Sequence, residues 1–166
     1  MPLIRPELTT DTAAIHALIA ASFPTPGEAE LVDRLREAGR LRVSLAAEEG
    51  GQIVGHIAIS PVTTPSQATG AGLGPLAVAE SHRRRGIGAA LMGAGLDACR
   101  AAGLGWAVVL GDPAYYARFG FRPAGEFGLH DEHGWGRAFQ ALELLPGGLP
   151  TEGGLVRYAP EFDSLS

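Results

Sequence analysis

The spacing of apolar positions changes several times along the chain, and each change predicts an element. Ala14, Ile15, Leu18 and Ile19 recur at intervals of three and four, which predicts a helix over residues 12–21. Thr9-Thr10-Asp11 supplies its start signal, with Asp11 at the positive end of the helix dipole. Phe23-Pro24-Thr25-Pro26-Gly27 interrupts the pattern. Leu31, Val32 and Leu35 then mark a second helix over residues 28–38, stopped by Gly39. The period drops to two over residues 41–46, a strand, after a short first strand at residues 3–5. Glu49-Gly50-Gly51 predicts a hairpin turn into a returning strand over residues 53–62. Residues 63–71 are rich in Thr, Ser and Gly and read as a flexible loop.

Residues 73–79 form the next strand and contain Pro75. Proline cannot donate to a ladder, so it predicts a place where strand pairing is disturbed. A helix over residues 86–102 follows, with Ile87, Leu91, Ala94 and Ala98 as its core-facing stripe. Residues 106–110 are continuously apolar, as in a strand buried on both faces. Strand, helix and strand at this spacing imply a right-handed crossover between parallel strands. Gly111-Asp112-Pro113 opens a short helix reaching residue 118. Residues 125–137 read as a surface loop, residues 138–144 as the last good strand, and the tail to Ser166 carries little pattern. No repeat or linker divides the chain, so the expectation is a single α/β domain over residues 1–166.

Composition narrows the function classes. A net charge of −5 disfavours general nucleic-acid binding. The lone cysteine, Cys99, excludes an internal disulfide and a cysteine-based zinc cluster. Met1-Pro2-Leu3-Ile4-Arg5-Pro6 lacks the apolar run of a signal peptide, and no apolar stretch reaches membrane-spanning length. A cytoplasmic protein without membrane partners is expected.

Against this acidic background Arg83-Arg84-Arg85-Gly86-Ile87-Gly88 stands out. It joins a strand to a helix, where the first backbone N–H groups have no partner within the helix. Glycine leaves them open, and the arginines add charge, so the turn suits a phosphate. A solvated arginine run capping an ordinary helix is the competing explanation. A nucleotide-hydrolysing P-loop is absent, and Leu91 stands where a dinucleotide fingerprint needs its third glycine.

The strand, Arg-x-x-Gly-x-Gly, the long helix, the apolar strand and Ala114-Tyr115-Tyr116-Ala117-Arg118-Phe119-Gly120-Phe121 together resemble the Gcn5-related N-acetyltransferase family. Gly74-Pro75-Leu76-Ala77-Val78 and Gly111-Asp112-Pro113-Ala114-Tyr115-Tyr116 resemble a bacterial subgroup of it. The resemblance implies an acyl-CoA N-acyltransferase fold: a mixed, mostly antiparallel sheet, splayed near its middle and flanked by helices. It implies acetyl-CoA as cosubstrate and no metal. Leu76, Ala77 and Val78 would bond the pantetheine arm as an added strand does. The amides of Arg84, Arg85, Gly86, Ile87, Gly88 and Ala89 would cradle the pyrophosphate, with Arg83 at the family's Arg/Gln position. Tyr116, four residues before Gly120, would protonate the departing thiolate, with Tyr115 its competitor. Direct transfer to an amine, or a hydroxyl, would pass through a tetrahedral transition state, with no role for Cys99.

Departures leave several points open. Relatives commonly carry a cofactor-contacting asparagine where Leu110-Gly111-Asp112-Pro113 has none. Glu28, Glu30 and His56 are candidates for the general base. His82 either touches phosphate or is an exposed turn residue, the latter preferred. His130, Asp131, Glu132 and His133 resemble a metal-ligand cluster, but a solvated loop beside the acceptor is preferred. The acceptor is expected to be a small molecule or a protein, and the assembly a monomer or homodimer. The rival reading is a catalytically idle coenzyme A-binding sensor or partner-binding module.

Overall fold

A computed structural model describes residues 1–165. The chain runs β1 (Leu3–Pro6), α1 (Thr12–Ser22), α2 (Gly27–Glu37), β2 (Val43–Glu49), β3 (Gln52–Thr63), β4 (Thr69–Val78), α3 (Ile87–Ala101), β5 (Trp106–Leu110), α4 (Pro113–Tyr116), β6 (Arg122–Pro123), β7 (Leu129–Asp131), β8 (Phe139–Glu143) and β9 (Gly154–Tyr158). The sheet order is β1-β2-β3-β4-β5-β8-β6, and β9 pairs with both β3 and β7. Only β4/β5 and β7/β9 are parallel pairs, so the expected mixed, mostly antiparallel sheet with flanking helices is present. No described helix is long and apolar enough to cross a membrane.

Side-chain alternation divides β3 between two cores. Ile57 and Ile59 pack under α3 with Ile87, Leu91, Met92, Leu96 and Cys99. Ala58 faces the opposite layer, with Ile15 and Ile19 of α1 and Ala29 and Val32 of α2. The α3 stripe is wider than the predicted one: Met92, Gly95 and Leu96 are buried, whereas Ala94 and Ala98 are half-buried. Ala14 of α1 is exposed. Asp11 does not cap α1. Its carboxylate turns back to the Leu8 amide (2.7 Å) and to Arg5 (2.7 and 3.1 Å).

The sheet opens where the proline signal placed the disturbance. Ile57 pairs with Leu76 and Ile59 with Leu73, so β4 carries an extra residue around Gly74 and Pro75. β4 pairs with β5 only at Ala71 and Gly72, whereas β5 continues along β8 as far as Leu110 opposite Phe139. Beyond Gly72 the two parallel strands therefore diverge, and the β5-facing edge at residues 73–78 has no strand partner.

Three expectations fail. Residues 69–71 belong to β4 rather than to a loop, because Gly70 and Ala71 pack tightly in the sheet. The stretch 125–137 is not all surface loop: Leu129 and Asp131 are buried in β7. The tail forms β9, which pairs with Val62 and Thr63 of β3, and then a 3-10 segment, Pro160–Ser164. Ser166 lies outside the described residues.

Candidate active site

The Arg-Gly turn folds as its chemistry requires. Gly86 has φ +80°, a left-handed conformation that side chains resist, and Arg84 adopts φ +63° despite carrying one. The first helical bond of α3 runs from the Ala90 amide to the Gly86 carbonyl (3.0 Å). The amides of Ile87, Gly88 and Ala89 thus precede any intrahelical partner, and no side chain caps them. They border a cavity of about 620 Å³ whose wall also includes Leu76, Ala77, Val78, Arg83, Arg84 and Gly86. A strip of unpaired β4 edge, a helix N-terminus and three arginines, Arg83, Arg84 and Arg118, converge there, which suits a diphosphate on a peptide-like arm.

The three arginines do not act alike. Arg83 Nε donates to the Val78 carbonyl (3.0 Å), so that carbonyl is engaged and the turn is tied to β4. Arg84 is exposed on the cavity wall. Arg85 turns away to Glu49 on the β2–β3 hairpin (2.9 and 3.2 Å), holding that carboxyl below its usual value. His82 meets the same carboxylate at 3.2 Å, so its side chain braces the turn. Arg118, which sequence reasoning passed over, borders the cavity and stacks over the Tyr115 ring at 5.0 Å.

A second cavity, of about 630 Å³, adjoins the first, with Leu76 and Phe23 lining both. The neighbouring tyrosines separate here: Tyr115 faces the first cavity and Tyr116 the second. Asp112 caps α4 by accepting from the Ala114 amide (3.0 Å), and Pro113 occupies the first turn. Asp112, at the position where the resemblance leads to the expectation of an asparagine, is therefore occupied with local structure. Gly111 lets the Tyr116 ring lie flush, since a Cβ there would sit 2.5 Å from Cε2. Tyr115 and Phe121 hold the ring edge-on at 5.0 and 6.0 Å. Burial, and next the proximity of Tyr115, push the Tyr116 hydroxyl above its ordinary pKa. It therefore keeps its proton throughout the neutral range.

The general-base candidates also separate. Glu28 lines the second cavity, and its Oε1 is cut off from solvent without a hydrogen-bond partner among the described residues. Glu30 is exposed beside Arg34 at 4.0 Å. His56 is fully buried and bonds Ser44 (2.8 Å), away from both cavities. In the loop cluster, Asp131 accepts from the His133 and Trp135 amides (2.8 and 3.0 Å), while Glu132 and His133 reach the cavity rim. Among the described residues no three His, Cys, Asp or Glu side chains are grouped to hold a metal.

Sequence reasoning missed the aromatic wall of Phe23, Trp135, Tyr158 and Phe162. Leu155-Val156-Arg157-Tyr158, bounded by Gly154 and Pro160, was a usable strand signal for Tyr158. Nothing local marks the other three.

Known proteins place this geometry. The sequence profile described as the acetyltransferase (GNAT) family matches residues 12–121. The uncharacterized N-acetyltransferase YhbS of Escherichia coli strain K12 is 40% identical over 164 residues, covering 97% of this chain and 98% of that one. A crystal structure of E. coli YhbS with CoA superposes with a TM-score of 0.93 at 38% identity, covering 99% of this chain and 93% of the other. A GNAT acetyltransferase from Brucella melitensis with acetyl-CoA gives 0.83 at 38% identity, over 98% and 99% of the two chains. With a profile across the helix pair, the phosphate turn and the Tyr-Tyr segment, and relatives matching end to end, this chain belongs to the acetyltransferase (GNAT) family.

Proposed function

We propose that the chain binds acetyl-CoA across the first cavity and transfers its acetyl group to a primary amine held in the second. One observation carries this reading. The two cavities meet at Leu76, with uncapped helix amides at one end and a protonated phenol and an unpartnered carboxylate at the other. Leu76, Ala77 and Val78 hold the pantetheine arm along the open β4 edge, with the Val78 carbonyl left to Arg83. The Ile87, Gly88 and Ala89 amides hold the pyrophosphate, and Arg84 adds charge.

Acetyl-CoA supplies the thioester: a carbon–nitrogen bond forms as the carbon–sulfur bond breaks, with one proton released net if the amine enters as an ammonium. Glu28 accepts the proton that frees the amine lone pair. Tyr116 holds the proton that the departing sulfur takes up, and its raised pKa keeps that proton available at neutral pH. Glu28 takes precedence over Glu30 and His56 because it alone of the three borders the cavity of Tyr116. The tyrosine and carboxylate on one cavity favour catalysis over an idle sensor. A cytoplasmic location fits the free, buried Cys99.

The test is Tyr116→Phe. Thiol release from acetyl-CoA with an amine panel should fall by about a hundredfold in kcat. Acetyl-CoA affinity by calorimetry should be unchanged. Undiminished kcat would remove Tyr116 as the acid, and failure of the wild-type protein to bind acetyl-CoA would overturn the whole reading.

A further inference from the structure

The second cavity has a composition of its own. Its interior is apolar, with Leu31, Ile57, Met92 and Val109 at its base and aromatic rings around its side. Its ionisable lining is acidic: Glu28 inside, and exposed Glu132 and Asp163 at the mouth, with His133 beside them. No arginine borders it, and the whole chain has no lysine. Arg34 is engaged with Ser164 (2.6 Å) and Glu30, and Arg40 with Glu161 (2.9 Å), while Arg137 and Arg157, close in sequence to Trp135 and Tyr158, are exposed and off the lining.

We infer that the acceptor is a primary ammonium on an apolar body, aromatic or alkyl, that carries no anionic group. This rests on the proposed acetyl transfer and names the substrate class of that site. Three observations converge. The unpartnered Glu28 oxygen is a buried acceptor waiting for a donor, and a charged N–H group is its strongest partner. The Tyr116, Trp135, Tyr158 and Phe162 rings offer faces to a cation and area to an apolar body. Glu132 and Asp163 draw cations to the mouth and repel anions, with no arginine or lysine on the lining to pair a carboxylate or phosphate and His133 flanked by the two acids. A polyhydroxylated amine would bury hydroxyls against the apolar base without partners, so it too is excluded. A peptide α-amine brings a string of polar backbone groups to the same wall and is disfavoured for that reason.

The experiment compares kcat/KM at saturating acetyl-CoA for 2-phenylethylamine, phenylalanine, glucosamine and a short neutral peptide with a free α-amine. Acetyl-CoA binding is measured separately by calorimetry. 2-Phenylethylamine should exceed each of the others by about tenfold or more. The exposed, near-isosteric double change Glu132→Gln/Asp163→Asn should raise its KM several-fold and flatten the salt dependence of kcat/KM, with the thermal midpoint held.

Phenylalanine, glucosamine or the peptide turning over as fast as 2-phenylethylamine overturns the inference. So does an unchanged KM in the double variant, or no turnover of 2-phenylethylamine by protein that binds acetyl-CoA. Absence of acetyl-CoA binding instead overturns the proposed transfer on which the inference stands.

Discussion

Gly55 on β3 sets the height of α3 above the sheet, and Gly55→Ala measures this. Gly55 pairs with Ala47 on one side and Val78 on the other, so it lies beneath the start of α3 and beside the open strand. A Cβ there would stand 2.9 Å from Leu91 Cδ1, 3.2 Å from Ile87 Cγ2 and 3.3 Å from the Ala47 Cβ. Carbon pairs prefer about 3.5–4.0 Å. Leu91 can rotate its methyl away. Ile87 cannot do so freely, because a β-branched side chain in a helix is confined to essentially one χ1 rotamer. The Ala47 methyl has no rotamer to change. The first turn of α3 must therefore rise or β2 must yield. Overpacking of this kind costs about 1–3 kcal/mol, and replacing strand glycine with alanine returns about 0.5–1 kcal/mol. Taken at their central values the two leave a net loss of about 1 kcal/mol, or about 2–4 °C in thermal midpoint for a chain of this length. The displaced turn carries the Ile87, Gly88 and Ala89 amides, so acetyl-CoA affinity by calorimetry should also weaken, by about threefold or more. A midpoint and an affinity both equal to wild type would refute the reasoning that contact at Gly55 fixes the position of the phosphate turn.

Three further outcomes are expected. Gly111→Ala drives a methyl into the Tyr116 ring; with Tyr116 in its proposed role as the acid, kcat should fall about ten- to a hundredfold, and an unaltered kcat would show that the ring has room to move. Glu7 is partly buried, which opposes its charge, but hydrogen bonds from Arg36 (2.7 and 2.8 Å) and Ser44 (2.7 Å) prevail and hold its carboxyl well below the usual carboxylate range. Its folded-state pKa is depressed, so the stability it supplies is present above the unfolded value of about 4.3 and fades as pH falls below that. Glu7→Gln should cost about 1–3 kcal/mol at pH 7, and denaturant titrations should show the gap closing as the medium becomes acid; a constant gap would contradict the assignment. Burial pushes the Cys99 thiol up to about 11. A thiol reagent at pH 8 should therefore label it only after unfolding, and prompt labelling of folded protein would contradict its burial.

The turn was legible in the sequence because its chemistry is local. Gly86, Gly88 and the start of an apolar helical stripe fix where uncapped amides appear, and no distant residue is needed to create them. Pro75 likewise marks the opening of the sheet, since a residue without an N–H interrupts a ladder wherever it lies. Tyr116 was singled out through the resemblance of its segment to a family; the fold places it and Tyr115 on different cavities.

Tertiary structure decided what depends on elements distant along the chain. Three adjacent arginines look equivalent in a string, yet the hairpin brings Glu49 to Arg85 and leaves Arg84 to the cavity. Glu28 and His56 were equal candidates until packing left the first on the cavity and sealed the second in the sheet with Ser44, away from it. β9 is five residues long and carries a local strand signal, but that signal says nothing of its partner, which is β3, nearly a hundred positions earlier. The second cavity is the extreme case: Phe23, Trp135 and the Tyr158–Phe162 pair come from three separate stretches, and only packing joins them into one wall. Local patterns fix backbone groups and element types. A cavity wall is a property of surfaces that meet, and the sequence determines it only by folding.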